Sequence, residues 1–175
     1  MFGLYQNFPE TIHGFASFSF ISSSSELQRS ILLALHKLNL KKLYKNSVYS
    51  YIPLNSEILF EFGIAEDNIF SYLDDTMLSF ALKKVSEESC SRLDFICVIR
   101  YYRVTPKKRT PLRFDYYLLR LDFQKKNFEA RIFHEKGTRR VSTEDLIIII
   151  AETINEVLTQ EESEPITLEY DTYTT

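Results

Sequence analysis

The residues whose types and spacing suggest chemistry are mainly cations. Gly137, Thr138, Arg139 and Arg140 run directly into Ser142, which stands three residues before Asp145 at the spacing of a helix N-cap. A helix start offers free backbone N–H groups and a partial positive charge, so two arginines and a threonine hydroxyl beside it describe an anion site. A plainer reading competes: Glu144 and Asp145 lie in the first turn, where they can satisfy the dipole themselves and pair with the arginines. Earlier in the chain, Pro106 and Pro111 bracket Lys107, Lys108 and Arg109. Proline cannot donate to a strand ladder, so this spacing predicts a protruding basic hairpin, whose tip either contacts phosphate or keeps an exposed turn solvated.

Around that hairpin, Arg100, Arg103, Arg113, Arg120 and Arg131 alternate with Tyr101, Tyr102, Phe114, Tyr116 and Tyr117. Guanidinium groups that neutralise phosphates beside rings that stack on bases are a common way to hold single-stranded nucleic acid. Tyr102 and Tyr116 are the candidates for stacking, or for an interface with another protein. Aromatic residues also favour strands for packing reasons alone, and the arginines have Asp115, Asp122 and Glu129 as internal partners. No RNP-type motif is present.

Other chemistries have less to recommend them. Phosphate-cradling loops need closely spaced glycines, and the four here, Gly3, Gly14, Gly63 and Gly137, are far apart. His13, His36 and His134 are scattered, which favours satisfied or solvent-facing histidines over a metal triad. A magnesium-dependent nuclease could gather Asp94, Asp115, Asp122, Glu129 and Glu135, but these acids fall on alternating strand faces. Cys90 and Cys97 read as reduced thiols. No cofactor is implied.

Positioning these residues requires a scaffold, and the periodicity supplies one. Ser23 and Glu26 have the capping-box spacing before an apolar stripe from Leu27 to Leu38, and Asp74 or Asp75 opens a second helix. A third runs from Ser142 through Leu158. Strands are expected over Ile12–Ile21, around Ile58–Ile64, and over Leu93–Val104, Leu112–Gln124 and Phe128–Glu135. The order β-α-β-α-β-β-β-α predicts a two-layer α+β fold, with a mixed sheet of about five strands and helices mainly on one face. The strands from Leu93 and Leu112 are apolar or aromatic on both faces, so the second face needs cover from the chain or from a partner. Residues 1–160 are expected to form one domain and 161–175 an acidic tail, with Ile166–Tyr170 as a candidate edge strand.

Charge is sorted along the chain. Residues 100–140 carry 13 Lys/Arg against 4 Asp/Glu, whereas residues 141–175 carry 9 acids and no base. Such blocks imply either an anionic partner or an internal partnership. With no export signal or apolar span in view, the expectation is a cytoplasmic, non-enzymatic protein that binds a polyanion, nucleic acid foremost. The alternatives are a protein–protein or self-assembly module and, third, the nuclease.

Overall fold

A computed structural model of the chain describes residues 1–40, 42–44 and 56–174. Its elements are β1 (Gly14–Ser19), α1 (Ser24–Asn39), β2 (Lys42–Tyr44), β3 (Ser56–Glu66), β4 (Ile69–Tyr72), α2 (Asp75–Glu87), β5 (Arg92–Val104), β6 (Arg109–Pro111), β7 (Asp115–Phe123), β8 (Asn127–Lys136), α3 (Thr143–Gln160) and β9 (Thr167–Tyr173). The fold is α+β. Each of the described helices starts where a side chain can cap it: Ser23 accepts from the N–H of Glu26, Asp74 from that of Met77, and Ser142 from that of Asp145.

The sheet corrects the expectation of about five mixed strands. Among the described residues it has nine strands, in the order β2-β3-β5-β7-β8-β1-β9, with β4 beside β3 and β6 beside β5. Every described ladder is antiparallel. The five expected strands are present as β1, β3, β5, β7 and β8; the additional ones are short or at an edge. One of these explains the change of direction. Asp67 and Asn68 adopt φ of 50° and 65°, which turns β3 back on itself as the hairpin β3–β4. That extra reversal before α2 brings β5 back antiparallel to β3, where a direct β-α-β crossover would have made it parallel.

The helices form one layer, with α1 packed against both α2 and α3 and onto β3, and α3 onto β1 and β8. The inward rows of the sheet feed one core, including Phe60 and Phe62 of β3, Phe95, Cys97 and Ile99 of β5, Tyr117 and Leu119 of β7, and Phe128 and Ile132 of β8. Each fully buried aromatic or aliphatic side chain stabilises the fold by about 1.5–3 kcal/mol, so this layer dominates the energetics.

The opposite face receives the N-terminal segment. Gly3 donates to the Ala65 carbonyl and accepts from the Asp94 N–H, joining the diverging ends of β3 and β5. Gly3 adopts φ of 84°, and a Cβ there would lie 2.8 Å from the Arg92 carbonyl oxygen, so a side chain would not fit. The segment continues over the face, where the Phe8 ring lies beneath the Arg120 guanidinium at 4.4 Å. No described helix is long and apolar enough to cross a membrane.

Candidate functional site

The register brings the candidate cations to one end of the sheet. Arg103 of β5 lies opposite Ser56, the Asp115 start of β7 opposite Ile99, and Lys136 at the end of β8 opposite Tyr116. The β5–β6 turn is closed by the Thr105 N–H donating to the Lys108 carbonyl at 2.9 Å, and it leaves Lys107 and Lys108 exposed. Arg113 is exposed just before β7, and Thr138, Arg139 and Arg140 follow β8. Hairpin tip, Arg113 and helix-start loop therefore share a rim. Among the described residues, Arg103, Lys107, Lys108, Arg113, Lys136, Arg139 and Arg140 make no ion pair.

Arg109 differs from its neighbours. Its guanidinium reaches Glu57 at 2.6 Å and lies over the Tyr102 ring, with Cζ 3.6 Å from the centroid. Tyr102 is thus half-buried beneath an arginine. Tyr116 is half-buried too, meeting Phe114 edge-on at 5.2 Å between centroids, and the Arg100 guanidinium stands 5.4 Å from the Phe114 ring.

The backbone donors of the helix-start loop have an anion already, and it is internal. Asp115 is fully buried and accepts from the N–H groups of Arg139 (2.6 Å) and Arg140 (3.0 Å) and from the Tyr101 hydroxyl (2.5 Å). Its Oδ1 also meets His134 Nε2 at 2.9 Å. The loop has the shape this requires. Gly137 has φ of 114°, and a Cβ there would fall 2.5 Å from the Phe114 carbonyl oxygen, while Arg139 is left-handed at φ 54°. The main-chain N–H groups of Arg139 and Arg140 are turned inward onto Asp115, while Thr138 and Arg140 are exposed and Arg139 is half-buried. Arg140 lies 5.6 Å over the Tyr101 ring, and Arg139 Nη1 donates to the Thr174 carbonyl at 3.3 Å.

Around Asp115 the site is electrostatically tight. Burial, and then the hydrogen bond to Asp115, hold the Tyr101 phenol far above its ordinary value of 10.0. Tyr117, whose hydroxyl donates to the Val141 carbonyl, is raised by burial and then by the Asp115 charge. Burial, followed by Asp115, likewise pushes the Cys97 thiol well up, so Cys97 remains a neutral packing group. His13 accepts the N–H of His134 at 2.8 Å and is held below the usual 6.5 by burial first, then by Arg139 and His134. Asp115 sits at the head of an apolar strand, a position where a buried carboxylate needs several donors; sequence reasoning offers it only as an arginine partner or metal ligand.

The strand arginines occupy the outer face in pairs. Arg120 makes a two-toothed contact with the fully buried Asp94, at 2.7 and 2.8 Å. Arg92 and Arg131 share Asp122, Arg131 also reaches Glu129, and Arg100 reaches Glu61. The contacts of Arg92, Arg120 and Arg131 border an open groove of about 1240 Å³ at the other end of the sheet, lined also by Lys84, Glu87, Glu88 and Cys90. Its cations and anions are balanced. The acidic C-terminal stretch lies elsewhere: β9 pairs with β1, and the ion pairs of Glu156 and Glu161 go to Lys37 and Arg29 of α1. Among the described residues no group of three or more His, Cys, Asp or Glu side chains could hold a metal ion. Comparisons with protein-family models, with curated proteins and with solved structures found no match.

Proposed function

We propose that this chain is a non-enzymatic binding protein that contacts a polyanion, nucleic acid foremost, through the cation-rich rim at one end of its sheet. The observation that carries the reading is the company kept by its positive charges. Arg103, Lys107, Lys108, Arg113, Lys136, Arg139 and Arg140 share an end of the sheet, and none is neutralised by a carboxylate among the described residues. Cations held together without ion-pair partners repel one another and gain by meeting an anion that carries several charges. Phosphate contacts of this kind supply affinity without sequence readout, through release of condensed counterions.

The outer sheet face has a smaller part in this reading than its composition suggests. Arg100, Arg120 and Arg131 spend their charge on Glu61, Asp94, Asp122 and Glu129, which leaves them as structural pairs. The test is binding of labelled single- and double-stranded DNA and RNA to the full chain across a salt series. Affinity should fall steeply with salt and be weakened, with a shallower salt dependence, when Lys107, Lys108 and Arg113 are changed together to Gln. No binding of any of these at low salt overturns the proposal. A stable dimer in solution that dissociates on changing Tyr102 or Tyr116 to a charged residue would favour the assembly module instead.

A further inference from the structure

The geometry points to single-stranded nucleic acid as the rim's ligand, with unpaired bases stacking on Arg109 and Phe114; this inference rests on the rim reading above. Arg109 is the better defined of the two platforms. Its guanidinium is fixed from two directions, by Glu57, whose side chain is only 5 % exposed, and by the Tyr102 ring at 3.6 Å. The arginine side chain nevertheless remains 42 % exposed. A planar cation with one face on tyrosine has its other face for a second flat group, and its rotational freedom is already spent. It stands directly after Lys107 and Lys108, so a strand whose phosphates meet the tip carries its bases past this plane.

Phe114 supplies the second platform. Its residue is 36 % exposed, next to the exposed Arg113. Tyr116 meets it edge-on at an interplanar angle of 83°, and Arg100 stands near the ring as a cation. A phenylalanine left this open beside the unpaired Arg113 gains when an apolar, flat partner covers it, and a base is such a partner. Duplexes keep their base faces inside the stack, so neither platform has anything to offer them beyond charge. A polyanion without bases would likewise use the cations and leave both planes idle.

The experiment compares three labelled DNA probes of equal length on the full chain across one salt series: a single strand, the same backbone made abasic, and the duplex. The base-bearing strand should bind about tenfold more tightly than the abasic one, as expected when one or more bases stack. Phe114→Ala combined with Arg109→Lys, which keeps the charge, should remove most of that difference while leaving abasic binding and its salt dependence unchanged. The probe comparison needs only the unmodified protein, so it stands even if the double variant folds poorly. Equal affinity for base-bearing and abasic strands, or a duplex bound as tightly as the single strand, overturns the stacking inference and leaves the rim reading intact. Absence of binding to all three at low salt overturns both.

Discussion

Where β5 begins, Arg92, Arg120 and Arg131 each find a carboxylate across or along the strands; where β5 ends, Arg103 and the cations of the neighbouring loops find none among the described residues. One basic stretch of sequence feeds most of both ends. What separates them is strand pairing: Asp94 is directly opposite Arg120 and Asp122 directly opposite Arg92, whereas at the rim end Asp115 and Glu57 are buried and already engaged, and Glu135, Glu144 and Asp145 make no ion pair among the described residues. A cation density along the chain is therefore a poor guide to free charge. Pairs across strands turn charge into stability at one end, and the other end keeps charge available for a partner.

That contrast predicts that the two ends respond differently to substitution. Arg120→Ala leaves the Asp94 carboxylate buried with its charge largely uncompensated, and should cost about 3–5 kcal/mol in a urea unfolding curve. Asp115→Asn should cost about 3 kcal/mol, because an amide offers N–H donors to groups that themselves donate, and charge-assisted hydrogen bonds disappear. A smaller effect follows from His13. Its folded-state pKa is held below 6.5, so as pH falls through that region the unfolded chain takes up the proton before the folded one. Stability should therefore be full above about pH 6.5 and decline into acid, and His13→Gln should flatten that part of the pH–stability curve. Smallest of all, changing Lys107, Lys108 and Arg113 to Gln should leave the unfolding midpoint unchanged, since these side chains are exposed and hold no ion pair among the described residues. A marked destabilisation by that rim variant would mean that the rim is structural after all.

Much of the fold was legible in local pattern. Caps at Ser23, Asp74 and Ser142 and period-2 runs such as Ile58–Ile64 are short-range signals, and the structure has helices and strands at those places. The strand count failed where the signal was short. Asp67–Asn68 carries a hairpin turn, but the four-residue β4 after it has too little alternation to announce itself, and its reversal decides the sense of every later strand. The site divided along the same line. Lys107 and Lys108 are conspicuous because prolines frame them. The role of Asp115 was hidden because its donors come from β5, β8 and the loop before α3, three elements that only the folded sheet brings together. Likewise, no local feature of Glu57 marks it as the partner of Arg109, fifty-two residues away in sequence.

The central claim is that free charge, and with it binding, resides at the rim. The most direct test is the salt dependence of single-stranded DNA binding, measured for the unmodified chain, for the Lys107→Gln, Lys108→Gln, Arg113→Gln variant, and for Arg92→Gln at the paired end. The slope of log affinity against log salt should become shallower by about 2 in the rim variant, at roughly 0.7 for each phosphate that is no longer neutralised, and stay unchanged in Arg92→Gln. A slope untouched by the rim variant and flattened by Arg92→Gln would contradict the account.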